Sequence, residues 1–317
     1  VCLGMLEWPD LETIDAGEWE DALGTGKPRG GARWLVYDWD GLNTLSSFCV
    51  PQNVRVAREK AWREDQSTLG LPPAPVRVDW ATASRFVVKG VMRKALEAVA
   101  FCHEAGYAHR SLSPENIVLS STSQDKSTAL QQLTPSLLIV KLNGFGFSTP
   151  LADSSPQRLE SARLYKVGEG KVGGELNLAL SSLSIAEDLY SLGLCFLQLL
   201  LGALAEDEVV IKEGGLFSDT IKEKVSVPVV TQQGLERQIE DVFNGDIGQL
   251  REYCKQEPAY NKVVAMLDEN DLEGWRFLTT MLGARQGVAR KLKESEMPGT
   301  GMLTARALLA SPFISRG

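Results

Sequence analysis

The sequence predicts an α+β fold in which a mainly helical body follows a short strand-bearing N-terminal stretch. Three observations carry that reading. Across residues 83–104, apolar residues recur at helical spacing (Phe86, Val87, Val91, Met92, Leu96, Val99, Ala100), the stripe of an amphipathic helix laid on a core. Two compact strand patterns follow at 116–119 and 137–142, separated by a Ser/Thr/Gln-rich loop. A very hydrophobic run at 188–201 then reads as a buried helix.

In chain order, two acidic, Trp-bearing stretches come first, Leu6-Glu7-Trp8-Pro9-Asp10 and Glu18-Trp19-Glu20-Asp21. The glycine cluster at 24–31 reads as a hairpin turn into a strand-forming stretch at 32–39, which Gly41 bounds. Residues 50–80 are polar, with a Leu-Pro-Pro-Ala-Pro run, and read as a surface insertion. Gly106 ends the first long helix, as a glycine beyond a helix C-terminus commonly does. The last third is helical in pattern and closes at 304–313. The domain division expected is 1–45 for a reduced strand-bearing lobe, 46–82 for an insertion and 83–317 for the helical lobe.

With 33 basic and 41 acidic residues the formal net charge is −8. An acidic surface repels phosphate backbones and anionic lipid, so nucleic-acid binding is disfavoured. The five cysteines are scattered, with no metal-type pair, and point to a reducing compartment. Cys102 and Cys195 lie in apolar runs and read as small buried hydrophobes. The longest apolar run, 192–204, is shorter than the roughly 20 residues that cross a bilayer, so no span is expected, and no signal-peptide pattern opens the sequence. With only two histidines in the chain, a His-based metal site is not expected. His103 reads as a surface or capping residue at the end of its helix.

The segment Tyr107-Ala108-His109-Arg110-Ser111-Leu112-Ser113-Pro114-Glu115-Asn116-Ile117-Val118-Leu119 resembles the catalytic loop of protein kinases and the strand after it. Val140-Lys141-Leu142-Asn143-Gly144-Phe145-Gly146 is similar to the strand and Asp-Phe-Gly turn that open the activation segment. Asp188-Leu189-Tyr190-Ser191-Leu192-Gly193 resembles the start of that family's buried helix, and 304–313 its last helix. Four motifs in the family's order cover 83–317. Upstream, 34–45 looks like the fifth strand and hinge, with Tyr37 as gatekeeper, but neither a phosphate-binding glycine loop nor a Val-Ala-x-Lys strand precedes it. Details at 34–41, at 186–193 and at 274–281 are similar to the chloroplast state-transition kinases of plants and algae.

The resemblance implies roles at particular positions, and several are filled by residues unsuited to them. Ser111 stands where the family places the aspartate that takes the substrate hydroxyl proton, and a serine is far too weakly basic near neutral pH. Ser113 stands for the loop lysine, and Gly144 for the metal-binding aspartate; a glycine offers Mg²⁺ no side-chain oxygen. Asn116 is retained, but one neutral amide is a poor Mg²⁺ site. No cofactor and no metal are therefore expected. Trp39, Asn116 and Val118 would line a vestigial nucleotide pocket, although Val118 is equally a core valine and that reading is preferred. His109 and Phe145 resemble the family's regulatory spine. Asp188 resembles its anchor, a helix N-cap carboxylate holding the loop backbone. Arg110 is expected in a local salt bridge. The Ala-Pro-Glu motif is not recognisable and its arginine partner aligns with Met302, so both halves of that buried ion pair are absent together. The expected function is that of a noncatalytic pseudokinase: a scaffold or protein–protein interaction subunit of a larger complex, in a photosynthesis-related chloroplast setting (alternatively the cytoplasm). Trp8, Trp19 and Trp34 could anchor a partner or pack in the core. A metal-independent ATP-binding enzyme is the alternative.

Overall fold

The computed structural model describes residues 2–7, 33–37, 44–51, 53–57, 78–121, 134–206, 208–211, 221–224, 227–294 and 302–316. The contacts divide the chain into two units, Val1–Gly41 and Leu42–Gly317. In the first, β1 (Cys2–Glu7) pairs antiparallel with β2 (Arg33–Tyr37), with Met5 opposite Leu35 and Glu7 opposite Arg33. The strand expected around Trp34 is β2; the sequence reading did not foresee β1. Trp39 and the glycine cluster at 24–31 lie outside the described residues, as do Trp8, Trp19 and most of the 50–80 insertion.

The second unit is built around two long helices. Asp79 caps the first, α1, by accepting from the Thr82 backbone N–H at 2.9 Å and the Thr82 hydroxyl at 2.6 Å. The helix runs through Trp80–Arg85, Phe86–Met92 and Arg93–Glu104. Its middle stretch is π-helical, and there the consecutive Phe86, Val87 and Val88 are all buried. The chain reverses at Gly106, whose φ of +88° favours a residue without a Cβ. β3 (Tyr107–Ala108), β4 (Ile117–Ser121) and β5 (Leu138–Leu142) follow, then β6 (Thr149–Pro150). The four strands form two antiparallel ladders, β3 with β6 and β4 with β5.

After α2 (Pro156–Leu164) comes α3 (Gly173–Ala203), 31 residues long and the centre of the core. Asp188 was expected at the start of this helix, yet it lies in the middle. The helix continues upstream because Ala179, Leu180 and Leu183 extend the buried face. The intervening serines also remain satisfied in helical geometry: Ser182 Oγ donates to the Leu178 carbonyl at 2.8 Å and Ser184 Oγ to Leu180 at 2.9 Å. By length and composition α3 could cross a membrane, but 83% of its apolar window is buried within the fold, as in the core helix of a globular domain. Gly193 and Gly202 permit close contacts; a Cβ at Gly202 would meet the Cys49 carbonyl oxygen at 2.4 Å.

The remainder comprises β7 (Glu208–Ile211) paired with β8 (Ile221–Lys224), α4 (Gln232–Arg237), α5 (Ile247–Gln256), α6 (Asn261–Leu282), α7 (Ala284–Glu294), α8 (Ala305–Leu309) and α9 (Pro312–Arg316). Phe313 packs on Phe277 with ring centroids 5.6 Å apart, which seats the C-terminal motif on α6. Helix α6 is broken by Asn270, Asp271 and Leu272, all left-handed at φ 50°, 61° and 65°. Left-handed backbone is strained for residues bearing a Cβ. Leu272 packs against the core, whereas Asp271 only joins an exposed pair with Arg276. Asp271→Gly is expected to stabilise the fold by about 0.5–1 kcal/mol, read as a rise of the thermal midpoint by about 1–2 °C.

Candidate functional site

The site grows from the turn after α1. A buried carboxylate organises it: Asp188, 1% exposed, accepts at Oδ2 from the His109 N–H (2.7 Å) and at Oδ1 from the Arg110 N–H (2.7 Å). These two bonds hold Arg110 in a left-handed conformation, φ 62°. The anchoring role expected of Asp188 is present, though from mid-helix rather than from an N-cap. Oδ2 also meets His103 Nε2 at 2.9 Å. His103 is therefore not a surface residue: it is 8% exposed, because position 103 continues the buried stripe of Leu96, Val99 and Ala100. That continuation is legible in the spacing.

His109 is fully buried. Its Nε2–H donates to the Asn143 carbonyl at 2.8 Å, so its Nδ1 is free to accept the Ser111 N–H at 3.3 Å. Burial holds the imidazole below its usual range, outweighing the opposite pull of the Asn143 carbonyl and Asp188. The ring lies 4.6 Å from Phe145, the contact expected of the spine pair, although Phe145 is itself exposed on its other side. A histidine whose pKa is lower folded than unfolded takes up its proton preferentially in the unfolded chain. It withdraws stability as pH falls through about 6.5 and leaves it intact above. The urea midpoint is expected to drop between pH 7.5 and 5.5, and His109→Gln should flatten that drop.

Gln232 Nε2 fixes the loop from the other side by donating to the Leu112 carbonyl at 3.1 Å. Ser111 and Ser113 flank the buried Leu112. Asn116, on the 3₁₀ turn Pro114–Asn116, spends its amide hydrogens on the Ser111 carbonyl (2.7 Å) and the Ser111 hydroxyl (3.2 Å). Its own carbonyl accepts from the Asn143 N–H at 2.8 Å, and the Asn143 side chain accepts from the Gly144 N–H at 2.8 Å. Gly144 has φ +78°, and a Cβ placed there would lie 2.6 Å from Asn116 Oδ1 and 2.9 Å from Nδ2. The Asn116 amide thus occupies the space into which any side chain at position 144 would project.

Val118 is buried on β4 and makes a backbone bridge to Thr44. Arg110 is exposed and forms no ion pair among the described residues, contrary to the expected local salt bridge. No cluster of His, Cys, Asp or Glu among the described residues is suited to a metal. Burial pushes the Cys49 and Cys254 thiols up to about 12 and Cys102 to about 11, so these thiols stay protonated and unreactive. A cavity of about 910 Å³ lies elsewhere, among Tyr165, Tyr190, Glu240, Arg290 and Met302.

The family model described as protein kinase domain matches residues 78–239, just over half of the chain, and spans the site just built. The chain belongs to the protein kinase family. It is similar to the crystal structure of the Rad53 kinase domain and SCD2 at a TM-score of 0.38 and 15% identity, covering 95% of this chain and 76% of that one. It is also similar to the same protein in complex with AMPPNP at a TM-score of 0.36 and 16% identity, covering 96% and 79%. No curated protein matches the chain. The family match over 78–239 shows the protein kinase-like fold that the motifs there led the sequence reading to expect.

Proposed function

We propose that this kinase domain is noncatalytic and serves as an interaction or scaffold subunit of a larger protein complex. The observation that carries the reading is the contact of Asn116 with Gly144: the amide fills the place where the family carries a metal-binding carboxylate. With serines at 111 and 113, the loop supplies neither a general base nor a charge to neutralise a transferring phosphoryl group. What is retained is architecture: Asp188 holding the loop, and His109 stacked on Phe145. The chloroplast setting rests on the resemblance of 34–41, 186–193 and 274–281 to state-transition kinases. Protein partners rather than nucleic acid suit the acidic surface.

The second reading, metal-independent nucleotide binding, is favoured only by the retained Asn116. Thermal-shift titration with ATP, with and without Mg²⁺, separates the two. The scaffold reading expects no shift in either condition. A shift with ATP alone supports the second reading, and a shift that requires Mg²⁺ contradicts both.

A further inference from the structure

The segment between β6 and α3 takes no part in the site described above, yet it is tied down with unusual care. At its start the Leu151 N–H donates to the Gly106 carbonyl at 2.9 Å, and the Leu151 carbonyl accepts from Ser184 Oγ at 3.0 Å. Helix α2 exposes Gln157, Glu160 and Arg163 but turns Arg158 inward, where it is 0% exposed. Its Nη1 donates to Glu187 Oε2 at 2.5 Å and its Nη2 to Ser184 Oγ at 2.8 Å. Both acceptors sit on α3, one turn or less before Asp188. Ala162 and Val167 add buried apolar contact, and at the end of the segment Tyr165 lies 6.0 Å from the Arg285 guanidinium. That guanidinium is stacked 3.3 Å over Tyr190 of α3 and paired with Glu240.

We propose that the Arg158–Glu187–Ser184 cluster is a built-in clamp holding residues 151–167 in one conformation without any covalent modification. A buried ion pair is a poor source of net stability, since desolvation offsets most of its attraction, and here Arg158 Nε is buried without a partner. What the planar fork does supply is geometry. Its two terminal nitrogens meet Glu187 and Ser184 at once only when α2 lies at a single position on α3. Any lifted arrangement takes the Leu151 carbonyl and the Arg158 fork away from Ser184, whose hydroxyl then keeps only the Leu180 carbonyl of its own helix. The inference goes beyond the noncatalytic reading and does not depend on it, because the clamp would fix the segment whether or not nucleotide binds.

Native-state hydrogen exchange on the full chain tests it. In Glu187→Gln, residues 151–167 should exchange faster by about tenfold or more, while α1 and α3 keep their protection; glutamine keeps an acceptor oxygen for Arg158 but removes the opposing charge. Arg158→Lys keeps the charge but cannot reach both acceptors, and should loosen the same stretch without unfolding the core. Phosphatase treatment of the unaltered protein should leave the protection of 151–167 unchanged. Unchanged exchange in both variants would overturn the clamp, as would loss of protection spread over the whole fold in both, or protection that disappears with phosphatase.

Discussion

Asp188→Ala is expected to be among the most destabilising substitutions in the chain, lowering unfolding free energy by about 3–5 kcal/mol. The carboxylate accepts from the His109 and Arg110 N–H groups and contacts His103, and Asp188, His103 and His109 are all buried. Alanine leaves two backbone donors without an acceptor and frees Arg110 from the left-handed geometry those bonds maintain. Since domains of this kind are stable by about 5–15 kcal/mol in total, the loss should be plain in the urea midpoint. Asp188→Asn retains one acceptor oxygen and should cost about half as much. An effect below about 1 kcal/mol for the alanine variant would mean that the loop is held by something other than this carboxylate.

Gly144→Asp, which restores the residue the family carries, is expected to damage the protein rather than revive it. The new Cβ would fall within 3 Å of three Asn116 side-chain atoms, at a left-handed φ of +78°. Asn116 would have to leave its bonds to Ser111, so about 2–4 kcal/mol of stability should be lost. No Mg²⁺-dependent binding of ATP should appear. If the contact with Asn116 is the cause, Asn116→Gly should relieve a good part of the loss in the double variant, with a coupling energy of about 1–2 kcal/mol in the double-mutant cycle. Additive effects would place the cost in the backbone instead.

Much of this molecule could be read from its residues, for identifiable reasons. The helix over Phe86 to Ala100 was legible in its apolar spacing, although Phe86–Met92 winds as π-helix and buries consecutive residues, and the strands at 117–121 and 138–142 were legible as short apolar runs. The upstream extension of α3 was hidden because its serines look like helix breakers, and become neutral only once their hydroxyls bond the carbonyls one turn back. The position of Asp188 within α3 was missed with it. His103 was misjudged by residue type where its spacing was informative. The clamp at Arg158 was not legible at all: a lone arginine in a polar stretch reads as solvated until Glu187 and Ser184 are seen beneath it. The identity of the residues at 111, 113 and 144 was visible at once, whereas the crowding of position 144 by the Asn116 side chain needed the distance between them.

The most direct measurement of the central claim is transfer of the γ-phosphoryl group from labelled ATP, with Mg²⁺ present, to the protein itself or to a generic protein substrate. The noncatalytic account predicts transfer indistinguishable from that of a heat-unfolded control. Transfer by the folded chain approaching the roughly 1–100 s⁻¹ of working kinases, and abolished by Asp188→Ala, would contradict it.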